Sequence, residues 1–133
     1  MSPPGLLVAS STWPEVEAAL AAGMVAVLPV GAAAKEHGRH LPLSTDWIEA
    51  EWFARELAAR APVAVWPTLG YGHYPAFIDY PGSTNLSAPT FVAVFRAGAA
   101  RVLVVNTGIS TIRPSSGPGR SARAGKPCAS RST

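Results

Sequence analysis

Hydrophobic positions along the chain alternate between two rhythms. "TWPEVEAALAAG" (12–23) has the spacing of a short helix: Thr12 at the cap, Pro14 in the first turn, Glu15 and Glu17 at the positive end of the helix dipole, and Gly23 as its stop. "MVAVLPV" (24–30) follows as an unbroken apolar run between glycines, the mark of a strand buried on both faces. "DWIEAEWFARELAARA" (46–61) returns to helical period, with Asp46 and Glu49 in its first turn and Trp47, Ala50, Ala54 and Leu57 on one face. "PVAVWP" (62–67) predicts a second buried strand, "APTFVAVFRAGAA" (88–100) a helix, and "RVLVVN" (101–106) a third strand. The stretch before Thr12 has no period and is expected to be loose. Helices alternating with uniformly apolar strands predict an α/β fold, a mainly parallel sheet covered on both faces in three α/β/α layers. Ligands of such sheets gather at the C-terminal ends of the strands. Three segments meet that edge: 31–46, the Gly/Pro/Tyr-rich 68–87, and 106–111.

Composition changes this picture at one place. The chain has 133 residues, 48% apolar and 14% charged, and a net charge of +3. Residues 1–112 hold all eight acids against six basic residues, a balance of −2. Residues 113–133 hold Arg113, Arg120, Arg123, Lys126 and Arg131 with no acid, a balance of +5. The expected organisation is an α/β domain over 1–112 and a basic, low-complexity, disordered tail over 113–133. Arg/Ser/Gly segments bind phosphate backbones, but this one lacks an aromatic residue for base stacking, which argues against nucleic acid as a partner. Cys128 is the single cysteine. That excludes an internal disulfide and suits a cytoplasmic setting. No apolar run is long enough for a membrane span, and the N-terminus lacks the pattern of a signal peptide.

Candidate chemistry concentrates in "AAAKEHGRHLPLSTD" (32–46). Glu36, His37, His40 and Asp46 are natural ligands for Zn²⁺, Mn²⁺ or Fe²⁺, and a loop leaving a strand and entering a helix can fold His37 and Asp46 onto one ion. Taken alone, Asp46 is better read as a helix cap, and Glu36 and His40 as solvated loop residues; it is their density at this edge that points to a metal. A dinucleotide-binding reading fails: "GYGHYPAF" has two glycines in register but no third, and no helix opens from it.

The string "VLPVGAAAKEHGRHLPLSTD" resembles the N-terminal signature of the creatininase (creatinine amidohydrolase) family. "TWPEVEAAL" precedes it, and "LGYGHYPAFIDYPGSTNLS" and "RVLVVNTG" come after it, all in family order. The resemblance implies a metal-dependent hydrolase of C–N bonds in small, including cyclic, amides. It implies two divalent ions (Zn, Mn or Fe) bridged by a carboxylate and a water. His37 would be a ligand and Asp46 the bridge. Glu36 would be a further ligand, with His40, Tyr71, His73, Gly82 and Ser83 facing substrate or supporting the ligands. It also suggests homo-oligomers. Three departures stand out. Lys35 occupies the place two residues before His37 where the family commonly has a glutamate ligand, leaving open whether Lys35 or Glu36 faces the site. "NTGIST" (106–111) lacks the histidine expected after the third strand, and with "KEHG" it resembles a divergent branch. The composition break after residue 112 resembles a truncated or frameshifted end. The alternative to an active hydrolase is therefore a non-catalytic remnant with an incomplete metal site.

Overall fold

The computed structural model describes residues 4–96 and 102–108. The expected basic tail, and residues 109–111 of "NTGIST", lie outside the described residues. The elements run β1 (Leu6–Leu7), α1 (Trp13–Ala21), β2 (Val25–Val30), α2 (Thr45–Arg60), β3 (Val63–Val65), α3 (Ala88–Arg96) and β4 (Val102–Asn106). Four strands form one parallel sheet in the order β1-β3-β2-β4. The expected α/β architecture is observed, with one addition. Leu6 and Leu7, expected to be loose, pair with Ala64 and Val65. Two residues are too few to show a strand period.

Side chains alternate across the central strands. Val27, Val63 and Val65 pack with Ala54 and Ala58 of α2, joined by the partly buried Leu7, Leu57 and Val105. On the other side of the strands, Ala26 and Ala64 are also buried, and α1 packs on β3 with Ala19 buried. The alanines at 50, 54 and 58 let α2 lie close on the sheet. Trp47, expected on that buried face, is instead 37% exposed. β4 also departs from expectation. It is as apolar as β2, yet Val102, Leu103 and Val104 are exposed at the end of the described sheet.

α1 begins with a capping box: the Thr12 backbone N–H and hydroxyl both donate to Glu15 Oε2 at 2.7 Å. These bonds stabilise the carboxylate and lower its pKa.

Candidate metal and hydrolytic site

The site forms where β2 ends and α2 begins. Gly31 makes this junction possible: a Cβ there would lie 2.2 Å from the Asp46 carbonyl oxygen and 2.8 Å from the Ala50 methyl. Without a side chain at 31, the first turn of α2 abuts β2, and the Trp47 N–H donates to the Ala32 carbonyl at 3.2 Å. Thr107, just past β4, completes the tie. Its hydroxyl donates to the Asp46 carbonyl at 2.8 Å and its N–H to the Val30 carbonyl at 3.1 Å. Asp46 is therefore not the helix cap. Ser44 holds the N-cap position, and the Asp46 side chain is buried in the first turn, where the helix dipole favours a negative charge.

Two side chains of the loop reach Asp46. Lys35 is 6% exposed, and its ammonium donates to Asp46 Oδ2. The ammonium lies 5.6 Å from the Tyr74 ring centroid and 5.3 Å from that of Phe77, within the range at which ring faces attract a cation. His37 Nε2 lies 3.5 Å from Asp46 Oδ1, beyond a good hydrogen bond, and is buried with no hydrogen-bond partner.

Among the described residues, the Tyr74 hydroxyl is the second buried side-chain polar atom without a hydrogen-bond partner. Burial pushes this phenol up to about 12, and the nearby Asp46 charge adds to the rise. Gly72 leaves room for it, since a Cβ there would stand 2.4 Å from the hydroxyl. The Tyr74 N–H is fixed by Asn85 Oδ1 at 2.6 Å. Tyr74 caps and Phe77 ends a 3-10 turn over Pro75–Phe77, so residues three apart project to the same side. Sequence reasoning singled out their neighbours and missed both. The available signal was aromatic residues at spacing three around a proline.

The other expected site residues are more scattered. The Glu36 carboxylate turns back to accept the Gly38 N–H at 2.6 Å, and the Glu36 N–H donates to Ser83 Oγ at 3.0 Å. His40 is exposed beside Gly38. Tyr71 is exposed, and His73 Nδ1 is paired with the Leu86 carbonyl at 2.8 Å. Gly82, at φ +87, turns the chain against Leu43, where a Cβ would meet Leu43 Cδ1 at 2.7 Å. Between Lys35 and Glu36, the residue that faces Asp46 is Lys35.

The donor set decides what the pocket can hold. Two donors on one tetrahedral ion at about 2.1 Å each stand about 3.4 Å apart. His37 Nε2 and Asp46 Oδ1 have that separation, and the imidazole nitrogen has no other partner. The pair fits one divalent ion. It does not fit an ion pair bridged by Asp46, because Oδ2 already accepts from Lys35. Among the described residues, no three or more His, Cys, Asp or Glu side chains come together as a metal-holding group.

Comparison with known proteins places this geometry. The creatininase family profile, described as creatinine amidohydrolase, matches residues 9–112. The chain belongs to the creatininase family. A creatinine amidohydrolase of Pseudomonas putida is 31% identical over 115 residues, covering 76% of this chain and 44% of that protein. The chain thus spans less than half the length of this curated relative. Similar solved structures include a manganese creatininase (TM-score 0.69, 30% identity, 81% of this chain and 47% of that one). A mutant creatininase of Zn–Zn type superimposes with TM-score 0.68 at 28% identity, over 84% of this chain and 48% of its own. A mutant creatininase complexed with creatine gives TM-score 0.65 at 30% identity, over 77% and 45%. The alignments to these structures span 77–84% of this chain and less than half of each creatininase.

Proposed function

We propose that the chain carries a creatininase-type hydrolytic centre acting on the C–N bond of a small, including cyclic, amide, with a divalent ion held by His37 and Asp46. The observation that carries this reading is the buried, unpartnered His37 Nε2 standing 3.5 Å from Asp46 Oδ1. The zinc and manganese forms of similar creatininases support Zn²⁺ or Mn²⁺ as the ion, and the creatine complex of another supports a small-molecule substrate.

In this reading the unprotonated His37 imidazole is the liganding form, and Asp46 supplies one carboxylate oxygen. When bound, such an ion supplies acidity to a coordinated water and polarises the amide carbonyl. Lys35 fixes the Asp46 carboxylate in place. The Tyr74 phenol, protonated far above neutral pH, is a hydrogen-bond donor available to a carbonyl oxygen of the substrate. The rings of Tyr74 and Phe77 exclude water from the inner side. Glu36, His40 and Ser83 belong to the outer rim in this proposal, with Tyr71, His73 and Gly82 shaping the loop around it. The exposed apolar edge at Leu103, with Trp52 and Phe53 of α2 near it, supports association of copies. Among the described residues no helix is long and apolar enough to cross a membrane. The single cysteine, Cys128, is the feature that favours a cytoplasmic setting in this proposal.

A second reading has its own observation. Lys35 engages Asp46 Oδ2 and Glu36 turns away, so a chain that keeps the creatininase fold without catalysis is consistent with the donor count. One experiment separates the two. The full chain, loaded with Zn²⁺ or Mn²⁺, is assayed on creatinine and a panel of small lactams and amides. Metal-dependent amide hydrolysis that disappears in His37→Ala supports the hydrolase. Metal binding without turnover of any substrate supports the non-catalytic reading.

A further inference from the structure

We propose that the Lys35 ammonium is a resident cation of this site, occupying the place beside Asp46 Oδ2 that a second metal ion would need. The proposal deepens the hydrolytic reading and rests on it only for the ion at His37.

Three features of the pocket converge on Nζ. Asp46 Oδ2 accepts from it, and the faces of Tyr74 and Phe77 flank it at 5.6 and 5.3 Å. A carboxylate with two ring faces is a cation-selective cage, and the chain supplies its own occupant. Lys35 is also fixed as backbone, its N–H donating to the Leu43 carbonyl at 3.0 Å. The neighbouring Ala34 carbonyl accepts from the Thr84 N–H at 2.9 Å, which ties the loop to 83–84. The ammonium is therefore delivered to Asp46 from a held position. Lys35 and Asp46 neutralise each other, and the other nearby donor is the uncharged-when-liganding His37. A dication at Oδ2 would have to displace the ammonium from a pocket that offers no second acid among the described residues. The result is a one-ion, one-lysine centre in place of a two-ion centre.

The test is metal titration of the full chain, first stripped with chelator, with Zn²⁺ and separately Mn²⁺ as the only added ligand. Stoichiometry is read by elemental analysis and affinity by calorimetry. Wild type is expected to take one equivalent per chain. Lys35→Glu, which puts a second carboxylate beside Asp46 and His37, is expected to bind at least tenfold more tightly and to gain metal-dependent thermal stability. Lys35→Met, which removes only the charge, is expected to show a larger metal-induced rise in melting temperature than wild type. Two equivalents in wild type would overturn the role of Lys35 and leave the metal-dependent reading intact. No binding in wild type, with binding gained in Lys35→Glu, would overturn the metal-dependent reading and leave the role of Lys35 intact. Unchanged metal affinity in both variants would overturn the inference. If neither variant folds, acylation of Lys35 in wild type decides: protection that persists with Zn²⁺ added supports a resident cation, and Zn²⁺-induced reactivity overturns it.

Discussion

The segment from the end of β2 to the first turn of α2 has two halves that are both rich in ligand-type residues and end in opposite environments. Its inner face, Lys35 and Asp46 with His37 beside them, is buried, paired and caged by aromatic rings. Its tip, Gly38 to Leu41, is exposed, with His40 at the surface and the Glu36 carboxylate spent on the Gly38 N–H. Density of ligands in the sequence does not separate the halves. What separates them is what the rest of the chain lays over each: the 74–77 turn covers the inner half, while the tip stays open to solvent. Burial turns a charge into a structural and chemical commitment, whereas exposure leaves it nearly neutral in energy.

The contrast sets an order of effects. Asp46→Asn is expected to cost most, about 3–5 kcal/mol, because it leaves the Lys35 ammonium buried without its counter-charge. Urea denaturation measures this, and a loss under about 1 kcal/mol would mean that the pair is solvated. Gly31→Ala comes next, about 1–3 kcal/mol or more, since its methyl must push the first turn of α2 off β2. It should also lower metal affinity by moving Asp46, which calorimetry detects. The Tyr74 phenol gives a pH signature of the inner half. Its folded pKa of about 12 exceeds the ordinary 10.0, so between those values the unfolded state ionises first. Stability contributed by this group is complete below about pH 10 and falls as pH rises toward 12. Ultraviolet titration should show one phenol ionising near pH 12 that is missing from Tyr74→Phe. At the tip, His40→Ala is expected to change stability by less than about 0.5 kcal/mol. A loss comparable to that of Asp46→Asn would erase the distinction between the halves.

Much of the frame was legible in residue patterns, for identifiable reasons. The runs at 25–30 and 63–65 were legible because strands covered on both faces require apolar side chains in both directions, and 102–106 carries the same pattern although Val102, Leu103 and Val104 are exposed. The start of α2 was legible from the acids of its first turn. Leu6–Leu7 was not, because a two-residue strand draws its register from Ala64 and Val65 and has no period of its own. Within the site, the meeting of His37 with Asp46 followed from the loop's position at a strand end. The family resemblance led the reading toward a bridging carboxylate, and Lys35 alters that picture by holding one Asp46 oxygen. Tyr74 and Phe77 were hidden in a segment without period, and their role depends on a 3-10 turn and on Gly72 leaving space, neither of which hydrophobic patterning encodes. The creatininase family match over residues 9–112 therefore describes the frame better than it describes the occupants of the pocket.

The central claim is that Lys35 sits as a fixed cation on Asp46, between two aromatic faces. The chain has only two lysines, Lys35 and Lys126, so its ammonium nitrogen spectrum is simple to assign. Nuclear magnetic resonance of the ¹⁵N-labelled full chain should show a slowly exchanging Lys35 ammonium. Its side-chain protons should carry ring-current shifts and show cross-relaxation to Tyr74 and Phe77, all lost in Asp46→Asn. A fast-exchanging Lys35 ammonium without contacts to either ring would contradict the account.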